Sequence, residues 1–583
     1  MKRFLLRLLA AVGLASLIFF GALLIWWPRP STHVPDSIYL EMDLQSLLWE
    51  SQPPSGVAQW IFGEVTTVRD VVDCLDRGAE DPRVRGLLLK VGNGIGGMAK
   101  AQEIRNAIHR FRQQGKKTIA FCQTFGEFSS SNLPYYVAAA CEEIHLQPGG
   151  ELNLLGFMAE SRFLTGGLQK IGVTARVDRR KEFKTAPNAY TETHYTKDHR
   201  TATEGWLFSL QDQWLNDLAK DRKLELAQLQ ALIADAPYRG EKALETGLTD
   251  RLAFEDQSRE SMKNDLGSKV EPMDWNLYLQ RAGRIHQQGA TIALIFGNGP
   301  ILRGHGGIDP TSLSPILGAD AVAATFEQAI QDSDVRAIIL RLESPGGSVV
   351  ASQTLWRLVV RARQKGKPVI VSMGDVAASG GYWVAMAAEK IVAQPGTLTG
   401  SIGVFGGKPL TEQAWGKLGI TWDRVEASPR AGMWSLNRDF HEGEWQRLQA
   451  WLDQIYEDFV TKVAAARKLD RESVEALAKG RVWTGEQALE LGLVDALGGF
   501  PVAVELAREA AGIPAEQALR LQVFPEPSGF LHRLLRAALA EEAKPTGLQG
   551  WWQEWQPALE TIEAIHRPAY RQVLRWPDWP WDG

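Results

Sequence analysis

The chain has 583 residues, 45% of them hydrophobic and 23% charged, and a formal net charge of −5. This composition is typical of a globular protein, the length predicts more than one domain, and the acidic balance argues against nucleic acid as the main partner. Cys74, Cys122 and Cys141 lack the spacing of a disulfide framework or a metal site, so we interpret them as buried free thiols.

The first thirty residues predict a membrane anchor. Lys2, Arg3 and Arg7 precede an uncharged stretch, residues 8–27, which as a helix would rise about 30 Å, enough to cross a bilayer. A cleaved signal peptide is the alternative, but the apolar run is long and no small-residue cleavage site ends it. The leading cations predict a cytoplasmic N-terminus, with the chain beyond residues 1–30 on the outer side of the membrane.

Repeated blocks of sequence predict that one fold occurs twice. Residues 81–91 match residues 332–342, and residues 240–250 match residues 485–495. The offset between matching blocks stays between 251 and 245 residues. A repeat of that length has the size of a domain and is too long for a solenoid, which predicts a tandem duplication.

Within each copy, short apolar runs alternate with helical stretches. In the second copy the runs at 291–296 and 337–342 alternate with helical patterns at 319–329 and 352–364. This alternation predicts βαβ units, an α/β fold class and a mainly parallel sheet covered on both faces. The predicted organisation is an anchor at 1–30, an N-terminal repeat at 31–285, a C-terminal repeat at 286–525 and a Trp-rich tail at 526–583. Tryptophans in such a tail suit either a membrane interface or the protein's own surface.

A candidate nucleophile lies in the C-terminal repeat. Ser379 follows a β-branched run at 369–372 and precedes an Ala-rich stretch at 382–390, which predicts a turn between a strand and a helix. A hydroxyl at a helix N-terminus is surrounded by amides that can hold an anionic intermediate, although the same sequence also forms ordinary turns. In the N-terminal repeat, Asn132 is the residue opposite Ser379.

A serine nucleophile needs a base, and the histidines offer none that is convincing. His305 and His441 lie in Gly-rich and charged surroundings, so we interpret both as surface or loop residues. Lys184 stands out in the stretch 181–188, and burial there would lower its pKa. The corresponding stretch of the second copy, 426–432, has no lysine. One copy would then keep the base and the other the nucleophile, with a solvated loop lysine as the alternative.

Three motifs of the C-terminal repeat resemble a known family. They are Ser-Pro-Gly-Gly-Ser at 344–348, Gly-Asp-Val-Ala-Ala-Ser-Gly-Gly-Tyr-Trp at 374–383 and Thr-Leu-Thr-Gly-Ser-Ile-Gly-Val at 397–404. Together with the duplication and the anchor, they make residues 1–525 similar to signal peptide peptidase A (protease IV) in its long, two-repeat form. That family lies in the Clp protease/crotonase superfamily, so the resemblance implies two Clp protease/crotonase-like domains after one transmembrane helix.

The resemblance also implies a set of site residues. It assigns Ser379 as the nucleophile, Lys184 as the general base and Ser401 as the residue that orients the lysine amine. The backbone amides of Gly347 and Gly380 would form the oxyanion hole. Such an enzyme requires no metal, nucleotide or organic cofactor.

The implied activity is that of a membrane-bound serine endopeptidase that degrades cleaved signal peptides and other apolar peptides. The resemblance further implies a homotetramer in the bacterial inner (cytoplasmic) membrane, with a single span and a periplasmic catalytic body. A crotonase-fold acyl-CoA enzyme is one alternative, which the predicted outward topology disfavours because CoA is cytosolic, and a non-catalytic membrane scaffold is another. The sequence leaves open whether the two halves of the dyad meet within one chain or between neighbouring chains.

Overall fold

A computed structural model describes residues 33–53, 65–309 and 314–525. The predicted anchor at 1–30 and the predicted tail at 526–583 lie outside these residues. Across the described ranges, no helix is both long and apolar enough to pass through a bilayer. The described chain is a mixed α/β protein in which strands and helices alternate, as the sequence pattern predicts.

The N-terminal half is organised around one parallel sheet. The strands of this half are β1 (Ile38–Leu44), β2 (Val84–Val91), β3 (Lys117–Cys122), β4 (Glu143–Leu146), β5 (Glu151–Leu152), β6 (Thr174–Arg180), β7 (Tyr238–Arg239), β8 (Arg251–Leu252) and β9 (Glu271–Asp274). Six of them form a sheet in the order β8-β4-β3-β2-β1-β9, and every neighbouring pair in it is parallel. The strands β5 and β7 form a separate antiparallel pair.

Helices connect and cover these strands. They are α1 (Val68–Glu80), α2 (Met98–Gln113), α3 (Asn132–Ala138), α4 (Thr165–Ile171), α5 (Asn188–Thr191), α6 (Lys197–Arg222), α7 (Leu226–Asp235), α8 (Gly240–Glu245), α9 (Glu255–Leu266) and α10 (Trp275–Ala282), with a short 3₁₀ helix at Asn93–Ile95. The first helix starts with a capping box, in which Thr67 Oγ1 accepts from the Asp70 amide and Asp70 accepts from the Thr67 amide.

The C-terminal half repeats this plan with a larger sheet. Its strands are β10 (Ala290–Asn298), β11 (Ile301–Leu302), β12 (Gly306–Ile308), β13 (Pro315–Gly318), β14 (Val335–Ser344), β15 (Val369–Ala378), β16 (Lys390–Ala393), β17 (Leu398–Gly400), β18 (Val404–Leu410), β19 (Val482–Thr484), β20 (Ala496–Leu497) and β21 (Leu519–Phe524). The main path is β19-β17-β15-β14-β10-β21, and β16 joins β15 to β20. All of its pairs are parallel except that between β17 and β19.

Among the described residues, eight helices complete this half. They are α11 (Ala319–Gln331), α12 (Val349–Gln364), α13 (Gly380–Ala385), α14 (Glu412–Lys417), α15 (Glu442–Arg467), α16 (Arg471–Leu477), α17 (Gly485–Glu490) and α18 (Phe500–Ala510). The helix predicted at 382–390 is α13, which begins two residues earlier and ends at Ala385. It ends early because the Glu389 amide donates to the Val369 carbonyl, which returns the chain to the sheet at β16.

Matching elements in the two halves make the same contacts. The helices α6 and α15 both span 26 residues, and both end at a lysine with a left-handed backbone, Lys223 and Lys468. Tyr135 donates its hydroxyl hydrogen bond to the Leu248 carbonyl, and Tyr382 donates to the Leu493 carbonyl. These pairs give the correspondence between residues of the two halves.

The halves are joined by an antiparallel ribbon and by a buried charge cluster. The ribbon pairs the seven residues of β6 with the seven of β18, from Thr174 opposite Leu410 to Arg180 opposite Val404. In the cluster, the Arg341 guanidinium donates to Glu50 at 2.8 Å and to Glu103 at 2.9 Å. Burial alone would raise the pKa of Glu50, but the charges of Arg341 and Lys100 outweigh it and lower that pKa to about 2. These contacts position the loop after β6 against the C-terminal sheet.

Candidate active site

Ser379 occupies a strained turn between β15 and α13. Its backbone has φ 54° and ψ −116°, a conformation that residues other than glycine rarely adopt. Two hydrogen bonds hold it there, since the Ser379 amide donates to the Gly400 carbonyl at 2.8 Å and the Ser379 carbonyl accepts from the Trp383 amide at 2.9 Å. Strain of this kind persists where the surrounding structure imposes it, and it is common at reactive side chains.

Lys184 reaches Ser379 from the other half of the molecule. It lies in the loop between β6 and α5, and its Nζ is 2.9 Å from Ser379 Oγ. The same nitrogen is 2.9 Å from Ser401 Oγ and 2.9 Å from the Ser401 carbonyl oxygen. The structure therefore brings together three of the residues predicted from the sequence, and it does so within one chain.

The Lys184 side chain is enclosed, with 3% of the residue exposed. A Cβ on Gly480 would lie 2.4 Å from the Lys184 backbone nitrogen, and one on Gly403 would lie 3.1 Å from Lys184 Cδ. Side chains at these two positions would therefore crowd the lysine. Burial lowers the pKa of Lys184 to about 7, because the charged form is poorly solvated there and its hydrogen-bond partners are neutral oxygens.

Two backbone amides lie next to each other beside Ser379. A Cβ on Gly380 would lie 3.1 Å from the Gly347 nitrogen, and one on Gly346 would lie 2.5 Å from the Gly380 nitrogen. Within the described residues, neither the Gly347 amide nor the Gly380 amide donates a hydrogen bond. Gly346 and Gly347 both have positive φ, at 98° and 150°, which glycine adopts at little cost. The turn thus leaves two free donors near the Ser379 hydroxyl.

Sequence reasoning missed the residues that hold the lysine loop. The Phe183 amide donates to the Lys479 carbonyl at 3.0 Å, and the Ser401 amide donates to the Arg481 carbonyl at 2.7 Å. The Arg481 guanidinium lies 5.4 Å from the Phe183 ring centre and 4.3 Å from that of Trp483. This segment comes about 300 residues after Lys184, and nothing in its local pattern indicates that it supports the site.

In the N-terminal half, Asn132 occupies the position that corresponds to Ser379, and its role there is structural. Asn132 Oδ1 accepts from the Leu155 and Gly156 amides, each at 3.1 Å, and its Nδ2 donates to the Gly156 carbonyl at 2.6 Å. All polar atoms of its side chain are therefore engaged in holding a loop. The two histidines considered from the sequence, His305 and His441, are exposed, and the three cysteines are buried and free, as expected.

Comparisons with known proteins show which family the chain belongs to. The family model described as Peptidase family S49 matches the chain twice, at residues 110–269 and 361–514. Protease 4 of Salmonella typhi is 33% identical over 459 residues, which cover 76% of this chain and 72% of that protein. The chloroplastic serine protease SPPA of Arabidopsis thaliana is 30% identical over 471 residues, covering 79% and 68% of the two chains.

A third relative, Protease 4 of Haemophilus influenzae, is 28% identical over 481 residues, which cover 80% of this chain and 76% of that protein. The resemblance inferred from the motifs is thus confirmed over most of the chain, and the two family matches fall one in each half of the duplication. The chain belongs to peptidase family S49 and is a serine protease.

Proposed function

We propose that this protease works through a Ser–Lys dyad formed within one chain, with Ser379 as the nucleophile and Lys184 as the general base. The observation that carries the proposal is the 2.9 Å contact between Lys184 Nζ and Ser379 Oγ. A neutral amine has two N–H bonds and one lone pair. The two oxygens of Ser401 accept hydrogen bonds from the two N–H groups of neutral Lys184. The lone pair of the amine would then be directed at the Ser379 hydroxyl.

Catalysis would begin when neutral Lys184 takes the Ser379 proton as Oγ attacks the carbonyl carbon of the peptide bond. The protonated amine then gives this proton to the departing nitrogen as the C–N bond breaks, leaving an acyl group on Ser379. Water next attacks the ester carbonyl while Lys184 takes one of its protons, and the protonated amine returns that proton to Oγ as the acyl C–O bond breaks and the carboxylic acid product leaves. A pKa near 7 suits both proton transfers, because neither the free base nor the acid is scarce at neutral pH.

The amides of Gly347 and Gly380 would stabilise the oxyanion of each tetrahedral intermediate. Loss of one such donor typically costs about 3–4 kcal/mol of transition-state stabilisation. The two amides are already adjacent and unpaired in the free protein, so little reorganisation would accompany the reaction.

We expect Gly346→Ala to lower kcat by about 10²–10³-fold, because its methyl group would lie 2.5 Å from the Gly380 nitrogen and displace a donor. Steady-state hydrolysis of a fluorogenic peptide measures the effect. Gly366→Ala is the matched control, since Gly366 also has positive φ, at 76°, but a Cβ there would meet nothing within 4 Å. Equal losses in the two variants would show that backbone strain, and not the oxyanion hole, explains the result.

We further propose that the substrates are signal peptides and other apolar peptides cut at a membrane, and that the enzyme is a homotetramer. The support is the motif resemblance together with the predicted anchor in residues 8–27. The leading cations of that segment favour a bacterial inner membrane location with a periplasmic catalytic body.

Substrate class can be tested with the full-length chain in detergent and two fluorogenic peptides of equal length, one apolar and one rich in Ser and Glu. We expect kcat/KM for the apolar peptide to be higher by at least about tenfold, since a few apolar contacts supply that much discrimination. The Ser379→Ala variant provides the background rate. Equal cleavage of both peptides would reject the proposed substrate class while leaving the dyad intact.

A further inference from the structure

The helix α2 of the N-terminal half begins without a side-chain cap of its own. Its N-cap residue is Gly97, which has no side chain to accept a hydrogen bond from the first turn. The corresponding helix of the other half, α12, also spans 16 residues, but its N-cap is Ser348, whose Oγ accepts from the Ala351 amide at 3.4 Å. The first turn of α2 therefore needs an acceptor from another part of the chain.

Asp375, in the C-terminal half, supplies that acceptor. Its Oδ2 accepts from the Gly97 amide at 3.0 Å, and its Oδ1 accepts from the Lys100 amide at 3.1 Å. One carboxylate thus satisfies two amides of the first turn, and its negative charge lies at the positive end of the helix dipole. A side chain at position 97 would block this contact, because a Cβ there would lie 2.4 Å from Asp375 Cγ.

The Lys100 side chain adds an ion pair to the same contact. Its Nζ donates to Glu343 Oε1 at 3.0 Å and lies 3.5 Å from Asp375 Oδ2, and the side chain is 10% exposed. Burial and the charge of Glu50 raise the pKa of Glu343 to about 8, against the effect of Lys100. Glu343 is therefore mainly protonated at pH 7 and does not compete as an anion for Lys100.

Asp375 lies in a bulge of β15 close to the nucleophile. Where β14 pairs with β15, the single residue Glu343 lies opposite the three residues 374–376. The Asp375 amide donates to Glu343 Oε2 at 3.4 Å. Bulges are common beside active sites, where they re-aim a side chain. Only two alanines separate this bulge from Ser379, so the position of the bulge sets where the Ser379 turn begins.

We propose that Asp375 is a positioning residue for the nucleophile, because it docks the bulge of β15 on the N-terminus of α2 and so fixes Ser379 relative to the N-terminal half. The inference rests on the proposed Ser–Lys dyad. The two reacting groups come from opposite halves, so the 2.9 Å distance between them depends on how the halves are held together. The ribbon of β6 and β18 holds the Lys184 loop, and the Asp375 contact holds the strand that leads to Ser379.

Asp375→Ala should lower kcat by about 10²-fold and change KM by less than about twofold, because a shift of about 1 Å between reacting groups costs that much in rate. Hydrolysis of a fluorogenic apolar peptide measures both constants. The acid limb of the pH profile should stay near pH 7, since the surroundings of Lys184 are not altered. Asp274→Ala is the matched control and should keep the wild-type kcat, because Asp274 caps α10 within the N-terminal half, where it accepts from the Leu277 amide at 3.0 Å.

The double variant Gly97→Ser with Asp375→Ala separates positioning from helix capping. Serine at 97 would restore the kind of local cap that Ser348 gives α12, and without the carboxylate of residue 375 its side chain has room. We expect the urea midpoint to fall in Asp375→Ala and to recover in the double variant, while kcat stays about 10²-fold below that of the wild type.

Recovery of kcat in the double variant would show that Asp375 acts only as a helix cap, and it would overturn the inference. A wild-type kcat in Asp375→Ala, or an acid limb displaced from pH 7, would also overturn it, and the dyad would stand in either case. Activity retained in Ser379→Ala would overturn the dyad, and with it the inference.

Discussion

Replacing Ser379 with alanine is expected to lower kcat/KM by about 10⁴-fold or more, because the variant loses the atom that forms the acyl-enzyme. Only the background from substrate binding and the oxyanion amides would remain. The fold should be retained, because the backbone hydrogen bonds that Ser379 makes to Gly400 and Trp383 do not involve its hydroxyl. Hydrolysis of a fluorogenic apolar peptide gives the rate, and circular dichroism checks the fold.

Ser333→Ala is a suitable comparison, because Ser333 is an exposed serine in the turn before β14. It should have wild-type kinetics. If Ser379→Ala retained more than a few per cent of the wild-type rate, Ser379 would not be the nucleophile, although the membership of the chain in a peptidase family would stand.

Replacing Lys184 with methionine is expected to cause a loss of similar size. Methionine fills the enclosed space around the lysine stem but cannot accept the Ser379 proton. The double variant with Ser379→Ala should be no less active than either single variant, because residues that act as a unit have non-additive effects. Additive losses would indicate that the two side chains act in separate steps.

The pH dependence of the wild type follows from the same lysine. Burial lowers the pKa of Lys184 to about 7, and only the neutral amine acts as the base, so kcat/KM should fall about tenfold for each pH unit below 7 and level off above about pH 8. A pH profile of kcat/KM between pH 3.5 and pH 9 checks this. An acid limb centred near pH 4 to 5 would point to a carboxylate base instead.

The buried lysine also has a consequence for stability. Its pKa is lower in the folded chain than the ordinary value of 10.5, so unfolding takes up a proton between about pH 7 and pH 10.5. The unfolding free energy of the wild type should therefore rise with pH across that window, relative to that of Lys184→Met. Below pH 7 the lysine is charged in both the folded and the unfolded chain, so burying its charge has its full cost. Urea unfolding measures the difference in unfolding free energy between the two proteins, and this difference should be smaller at pH 9 than at pH 6.

The local sequence pattern predicted the strand, turn and helix around Ser379, because these elements are adjacent in the chain. The β-branched run before Ser379 and the glycines after it predict a strand, a turn and a helix, and the structure has β15, the strained turn and α13. The strand is longer than predicted and reaches Ala378, because it pairs with β17 beyond the apolar run. The duplication was equally visible, since it depends only on comparing the chain with itself.

The approach of Lys184 to Ser379 could not be derived in that way. It depends on the pairing of β6 with β18, two segments about 230 residues apart. The local sequence of neither segment indicates which distant strand it pairs with. The lysine is enclosed by Gly403 and Gly480, whose roles appear only once the ribbon is formed. The sequence indicated the lysine through family resemblance, and the physical reason for its low pKa, complete burial among neutral oxygens, came from the structure.

Co-expression of the two inactive variants tests most directly whether one chain supplies both members of the dyad. Ser379→Ala and Lys184→Met would be produced together on differently tagged chains, and mixed particles would be purified through both tags. Because Lys184 Nζ contacts Ser379 Oγ within a chain, every site in a mixed particle lacks one of the two groups, and we expect peptidase activity no higher than that of the single variants. Mixed particles that regain activity would contradict the account, since the serine of one chain would then be using the lysine of another.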